Sequence, residues 1–502
     1  MSRFFVLMAA LCFACSSSTS TPADVVPVDA RIDDVTKLEL VTEETVEETD
    51  VAVPFPWPTC PTGNDGPTLA EKAAYLDDLM VSQHLADGLL RTVTVDDDGN
   101  VVARHHLPST GLWTAMYLAS QSLRYAVTGD VVAQQNAGLA VQGLHDLTAV
   151  TGVSGLYGRA YARPDFTYAY EVADSPAWVA SVAPGYEGWH WNNDVSKDTM
   201  DGIAFGYSVA LEHLDDEAIL GVVRADFKAF TDHLVGNGLQ IIDHTGEVTE
   251  HGRLYYSAMD DFPGFNALLV AGWLRPIMAA VPDPDLDFFY YNCLMRQGPT
   301  DDCPDIETAD LGSYMEAIEK TLALYMDSCQ TNYDHFDMVL QALYPLMRFE
   351  TDAGLLERLS AVLEVGVWEP ADAKLDQPLY LSTHSLYIYM YGGLANPATD
   401  DEVFRAALED SACSMVALPK HRAQHAVAAG TQEVACLNRH GKPNTFEPVP
   451  LLQRNFDNYV WRFDPREIPT EEAANPHHIH SADDYLSAYW LGRYHGYISP
   501  EM

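Results

Sequence analysis

This sequence predicts an all-α fold, an (α/α) toroid of about a dozen helices in hairpins with a small β-hairpin insertion. Three observations predict it. From Pro108 onward, long stretches repeat apolar residues at three- and four-residue steps, the spacing of one helix face. Their breaks carry Gly, Asn, Asp or Pro, which punctuate helices. The helices come in consecutive pairs with no fixed internal period, which separates a closed ring from a regular solenoid.

The elements follow in order. Thr68 to Leu90 reads as a first helix. Gly111 to Tyr125 continues on the periodic face of Trp113, Met116, Tyr117, Ser120 and Leu123. Gly129 ends that helix and Asp130 caps the next, Val131 to Thr148. A second hairpin runs from Thr199 to Leu234, broken at Leu214-Asp215-Asp216. Its Gly202 and Gly206 lie four apart and admit a neighbouring backbone. Leu239 to Asp243 and Glu247 to His251 flank His244-Thr245-Gly246 as a β-hairpin. Phe262 to Val281 and Ser313 to Ser328 add single helices. Further pairs span Asp334 to Val365, broken at Glu350-Thr351-Asp352, and His384 to Leu408. The aromatic helix Asp483 to Tyr497 is expected to close the ring on the first hairpins.

The N-terminus reads as an address. Residues 1–14 pair an early Arg3 with an apolar stretch shorter than the ~20 residues that cross a bilayer. Leu11-Cys12-Phe13-Ala14-Cys15-Ser16 resembles the lipobox of bacterial lipoproteins, which implies a lipidated Cys15 and, with Ser16 following, the outer membrane. Residues 15–68 then form an acidic flexible tether, low in complexity at Ser16 to Thr21 and charged at Thr42 to Asp50. Residues 69–502 form the toroid domain.

Charge excludes whole classes. Lys+Arg total 28 against 73 Asp+Glu, a net charge of −45. Nucleic acid needs a basic surface, so it is excluded as a partner. The same balance excludes electrostatic capture by an anionic lipid surface. Acidity with few lysines fits either salty surroundings or plain solubility of an exported protein. After Cys12 and Cys15, six of the eight cysteines remain. An even number in an exported chain predicts disulfides, most simply Cys293–Cys303 and Cys413–Cys436, leaving Cys60 and Cys329 as a third pair. No C-x-x-C zinc pattern exists, and no cofactor is expected.

Chemistry concentrates in Gly188-Trp189-His190-Trp191-Asn192-Asn193-Asp194-Val195-Ser196-Lys197-Asp198. Aromatic rings stack on the C–H faces of sugars, while carboxylates and amides bind hydroxyls. Trp189, His190, Trp191 and Asn192 are therefore substrate-binding candidates. Ser196 caps the following helix and puts Asp198 in its first turn. A glycosidase needs one carboxyl as acid and one as base or nucleophile, for which Asp198 and Asp194 are the candidates. Helix-dipole complementation is the plainer role for Asp198. A second cluster, Asn332 to Asp337, adds His335 and Asp337 as catalytic candidates facing the same mouth. His384 holds the equivalent place two hairpins later and is a binding candidate. At the β-hairpin, His251 and Tyr255 could move a proton while Arg253 neutralises a uronate carboxylate. His477-His478-Ile479-His480 reads as a loop before a helix capped by Ser481 or Asp483, rather than as a metal site.

The run GLWTAMYLASQSLRYAVTGD, followed by LYGRAYARPD, resembles exported carbohydrate-active toroid enzymes. These include unsaturated glucuronyl hydrolase-like glycosidases and toroid polysaccharide lyases. The resemblance covers residues 70–498 at fold level and carries no catalytic motif residue for residue. It implies a carbohydrate substrate or ligand, so a lipid-anchored glycoside hydrolase is the leading expectation. A polysaccharide lyase and a non-catalytic glycan-binding surface lipoprotein are the alternatives.

Overall fold

The computed structural model describes residues 58–60 and 66–502, apart from positions 108, 171, 173–174, 256–262, 298–299, 301, 305–311, 322–328, 330, 369–377, 399 and 456–457. All of them belong to the second of two compact units, Glu48–Met502. The lipobox-like segment and Cys15 lie outside the described residues. So does most of the predicted tether.

Thirteen α-helices are present among the described residues: α1 Leu69–Leu79, α2 Thr110–Thr128, α3 Val131–Ala149, α4 Lys197–His213, α5 Glu217–Gly236, α6 Pro263–Ala280, α7 Pro284–Phe288, α8 Tyr314–Thr321, α9 Tyr333–Phe349, α10 Ala353–Val362, α11 Ser385–Ala395, α12 Glu402–Ala417 and α13 Asp483–Tyr494. Six of them form a closed ring. α2 packs on α4, α4 on α6, α6 on α9, α9 on α11, α11 on α13, and α13 back on α2. Helices α3, α5, α8, α12 and α1 lie outside it, each against the ring, and α10 packs on α8. This is the expected toroid. Its hairpin boundaries fall where Gly and Asp punctuate the chain. Gly129 closes α2 in the left-handed region at φ 65°, and the Asp130 carboxylate accepts the Val132 N–H to start α3.

The ring is tight because small residues line its seams. A Cβ on Gly202 would lie 2.8 Å from the Leu112 Cα, and one on Gly206 would lie 2.5 Å from the Ala115 carbonyl oxygen. Side chains at either position would separate α4 from α2.

Strands are more numerous than the sequence predicts. The expected hairpin is β6 Gln240–Ile242 with β7 Val248–Arg253. In addition, β1 Thr92–Val95 and β2 Val101–His105 join β8 Ala423–Gln424 and β11 Asn475–Ile479 in the order β2-β1-β11-β8. A three-stranded sheet contains β3 Tyr161–Ala162, β4 Trp178–Ala180 and β5 His190–Asn192, with β5 central. A last pair is β9 Cys436–Leu437 with β10 Pro443–Asn444. The histidine run is thus strand, not loop: His478 pairs with Thr94 and Ile479 with Val93. Neither Ser481 nor Asp483 caps α13, whose N-cap position is Ala482 without a side-chain bond. The Ser481 hydroxyl instead donates to Asp483 at 2.6 Å. Among the described residues no group of three His, Cys, Asp or Glu is placed to hold a metal ion.

Among the described residues three disulfides are present, and one pairing is as predicted. Cys293 is joined to Cys303. Cys413, however, pairs with Cys60, at a Cα separation of 5.2 Å, and Cys436 pairs with Cys329 at 6.2 Å. Proximity in sequence misleads here, because Cys413 sits on α12 beside the chain's entry into the ring.

That entry is also held by a buried amine. Lys72 of α1 donates to the carbonyls of Met415, Val416 and Leu418 at 3.0, 3.0 and 2.7 Å, satisfying the open C-terminal end of α12. Burial, and then the nearby Arg422, pull the Lys72 pKa down to about 8. Replacing it strands three acceptors, two of them buried. Lys72→Met should lower stability by about 2–4 kcal/mol in equilibrium denaturation at pH 7, with the denaturant slope unchanged. A variant as stable as wild type would show that the three carbonyls are not held by this amine.

Candidate functional site

The first turns of the inner helices meet at one end of the ring, and their polar residues form a mouth. Ser196, extended at the N-cap of α4, accepts the Thr199 N–H at 3.5 Å, so Lys197 and Asp198 enter the first turn half-buried. The Lys197 amine lies 3.3 Å from the Asn266 side-chain oxygen of α6 and 4.9 Å from the centre of the Phe265 ring. Phe265 stacks on His335 of α9 at 4.8 Å. Burial, with Lys197 and Arg439 adding repulsion, pushes His335 down to about 4, so it is neutral at pH 7. The Asp334 carboxylate, also in the first turn of α9, faces the Arg462 guanidinium at 3.6 Å. Half-buried Phe463 lies beneath that guanidinium, 5.0 Å away.

A second tier of carboxyls lies below. Asp201, one turn deeper than Asp198, is fully buried and accepts the Trp273 indole N–H at 2.7 Å. Burial holds its pKa well above the ordinary carboxyl value, with Asp337 and Asp198 adding to the effect. Burial likewise pushes Asp337 up to about 8. Its oxygens face the Gln341 amide at 2.6 Å and the Tyr387 hydroxyl at 3.0 Å. Tyr387 also sits 2.8 Å from the Trp461 carbonyl. One hydroxyl proton cannot serve both acceptors. A protonated Asp337 resolves this by donating to Tyr387, which donates to Trp461.

Several sequence candidates therefore change role. Asp337 is 3% exposed and does not face the mouth. Two residues along a helix turn it about 200° from His335, and the 3₁₀ turn Val460–Arg462 covers it. His384, at the N-cap position of α11, is fully buried with its ring edge-on to Tyr333 at 5.2 Å and Tyr387 at 5.1 Å. Burial, then Arg454 and Arg466, hold it well below its ordinary pKa. It cannot touch a solute. Trp191 is 1% exposed and meets the His244 ring at 5.1 Å, so it is core rather than a stacking platform. Its segment is a strand, and alternation turns that side chain inward. Asn192 is buried, with its side-chain oxygen accepting the Asp194 N–H at 3.0 Å. Tyr255 is buried as well.

The rim holds the remaining candidates. Asp194, its side chain 53% exposed, is bound by Arg159 at 2.5 Å, so its partner is a cation rather than Asp198. Arg159 also donates to Ser109 at 3.3 Å, just before α2. Half-buried Trp189 packs between Tyr161 and Tyr186, each at 5.0 Å, with Arg163 over its ring. His190 is half-buried on β5. His251 and Arg253 are exposed on β7, and the Arg253 carbonyl accepts from Asn266 at 3.2 Å. Sequence reasoning missed Lys197, Phe265, Asn266, Asp334 as a site residue, and Arg462. For Lys197 the signal was its place beside Asp198; Asn266 and Arg462 carry no local signal.

No family model matches this chain, and no curated protein does. Among solved structures it is similar to a glycoside hydrolase family 76 mannosidase from Bacteroides thetaiotaomicron. The identity is 9% and the TM-score 0.41, over 85% of this chain and 98% of that one. A D-mannose isomerase matches at 11% identity and TM-score 0.39, over 86% and 99%. A glycosyl hydrolase family 88 protein from Bacteroides vulgatus matches at 10% and 0.36, over 85% and 97%.

The protonated Asp337 has a measurable consequence. The folded form holds its proton up to about pH 8, whereas the unfolded carboxyl releases it near its ordinary value of 3.8. Between those values the folded state binds more protons, so this group makes stability fall as pH rises. The slope is on the order of 1 kcal/mol per pH unit. Asp337→Asn, which can still donate to Tyr387, should flatten that part of the stability profile between pH 5 and 8. Identical profiles for both proteins would mean that Asp337 is ionised in the fold.

Proposed function

We propose that this protein is a carbohydrate-active toroid enzyme, a glycoside hydrolase that works at the ring mouth with Asp198 and Asp334. One observation carries the reading: the first turns of α4 and α9, two inner helices in contact, each present one carboxyl to solvent there. Glycoside hydrolysis requires two carboxyls on facing walls, one to protonate the leaving oxygen and one to act as nucleophile or to activate water. Asp198 is assigned the proton transfer. Asp334, its charge partnered by Arg462, is assigned the second role, which replaces Asp194. The half-buried His335 and Phe463 supply ring faces for a sugar, and Lys197 and Asn266 supply donors and an acceptor for its hydroxyls.

Asp198→Asn keeps the shape and removes the transferable proton. On a glycan that the wild type cleaves, it should lower turnover by roughly 10²–10⁴ with KM little changed. Thermal unfolding should move by less than about 1 kcal/mol, the worth of a helix-end charge. Equal turnover would remove the assignment. A wild type that binds glycans yet cleaves none of a broad panel would instead support the binding-protein reading.

We further propose that the chain is exported and anchored through a lipidated Cys15, with residues 15–68 as the tether. Three disulfides in the folded body support an oxidising compartment. Cys15→Ser should move the protein from the membrane to the soluble fraction. Wild type found entirely in the soluble fraction would count against the anchor.

A further inference from the structure

Trp178 presents a ring face that the two-carboxyl chemistry does not use. It lies on β4, an outer strand of the three-stranded sheet whose central strand is β5. Register decides which way the indole points. Trp191 stands opposite Val179 and Tyr161 in that sheet, and Trp191 and Tyr161 are 1% and 0% exposed, so that face is core. Side chains alternate along a strand, so Trp178 and His190 turn to the other face. Both are half-buried there. Two rings pack against the indole. Tyr170 stacks on it with centroids 5.5 Å apart and planes at 26°, and His106 meets it edge-on at 5.4 Å. Those two rings are 6.0 Å from each other, so the three centroids form a nearly equilateral triangle. His106 is therefore beside Tyr170, not across the indole from it. Among the described residues no aromatic ring or cation packs on the opposite face.

This face is continuous with the mouth. His106 precedes Thr110, the first residue of α2, by four positions, and the Arg159–Asp194 pair of the rim acts on its charge. Asn192, opposite Trp178 in the sheet, precedes Asp198 by six positions. Six residues span no more than about 22 Å even when fully extended. The indole is thus within reach of a short oligosaccharide held at the carboxyls. Burial, and then Arg91 and Arg159, push His106 down to about 3, so at pH 7 it is a neutral imidazole with one donor and one acceptor. A sugar ring combines a C–H face with hydroxyls at its edge. An indole face matches the first, and neutral imidazole nitrogens match the second.

We propose that Trp178, with His106 beside it and His190 on the same sheet face, seats one sugar ring of a glycan chain whose cleaved bond lies at Asp198 and Asp334. The proposal rests on the reading of those two carboxyls given above. It adds that the substrate is a chain of several sugars, bound away from the cleaved bond as well as at it. Stacking at such a distance acts on substrate and transition state alike, so it sets affinity rather than the rate of the chemical step.

The test is calorimetric titration of the mature chain at pH 7 with manno-, cello- and galacturono-oligosaccharides of two and six units. At least one hexasaccharide should bind wild type saturably and more tightly than its disaccharide. Trp178→Ala should lose about tenfold in affinity for that hexasaccharide and less than about twofold for the disaccharide. Trp178→Phe, which keeps a ring, should recover most of the loss, and the surface variant Arg358→Gln should bind as wild type. Should Trp178→Ala fail to fold, tryptophan fluorescence serves instead: the change that the hexasaccharide causes in wild type should be largely absent from Trp178→Phe. Asp198→Asn should bind the hexasaccharide as wild type does. Full binding by Trp178→Ala beside lost turnover in Asp198→Asn would strike the subsite alone. Weakened binding by Trp178→Ala beside unchanged turnover in Asp198→Asn would strike the catalytic assignment alone. Two results overturn the proposal: no saturable binding of any hexasaccharide to wild type, or a Trp178→Ala loss that is absent or equal at both lengths.

Discussion

A ring of helices exists only if its last helix is held in place, and in this chain the N-terminal end of that helix is anchored by a buried charge. Arg422 binds both carboxylate oxygens of Asp484 at 2.9 and 2.8 Å, with the two side chains 1% and 0% exposed. Its Nε donates to the Ser481 carbonyl at 2.9 Å. Asp484 lies in the first turn of α13, the helix that packs between α11 and α2. The same residue receives the Val460 N–H on its side chain at 3.2 Å and the Trp461 indole on its carbonyl at 2.8 Å. Such a pair stabilises little over a well-packed apolar substitute. It does fix where the polar end of α13 sits, and an apolar core contact would not.

The mouth follows from that placement. Val460–Arg462 lies on α9 because Trp461 is tied to α13. The turn covers Asp337 and Tyr387 while sending Arg462 outward to Asp334. Closure of the ring and division of the carboxyls into an open and a covered tier are thus one structural event. α1 and the chain terminus reinforce it. The Tyr485 hydroxyl donates to the Leu69 carbonyl at 2.8 Å, and the Leu69 N–H donates to the Met502 carbonyl at 2.6 Å. Both ends of the folded body meet on the helix that closes the ring.

The helices were legible because they run long enough for a 3.6-residue period to repeat, as in α2 and α3, and because Asp and Gly punctuate them chemically. Strands of two to five residues such as β3 or β8 offer no period to read. The mouth was legible as polar residues at helix starts, which places Asp198 and His335 there. What could not be read was which of those residues are covered. His384 and Asp337 look like His335 in sequence, and only the fold of residues 418–482 buries them. Trp191 misleads for a different reason: its polar and aromatic neighbours suggest a sugar platform, while strand alternation turns it inward. Cys60 and Cys413, 353 residues apart, could be paired only after the ring had closed.

The charge pattern also acquires meaning from the fold. A chain of net charge −45 would be expected to surround any cleft with carboxylates. At the mouth, instead, burial keeps His335 neutral, and Lys197 and Arg439 add to the effect. A neutral imidazole can accept a hydrogen bond from a hydroxyl, whereas an imidazolium cannot. Cations at this position therefore do two things. Arg462 partners the exposed carboxyl of Asp334, and Lys197 and Arg439 help leave the histidine able to bind an uncharged polar group. Placing the same side chain among the surface carboxylates would raise its pKa and convert it to a donor. The few basic residues at the mouth thus add to burial in setting which hydrogen bonds its polar groups can make.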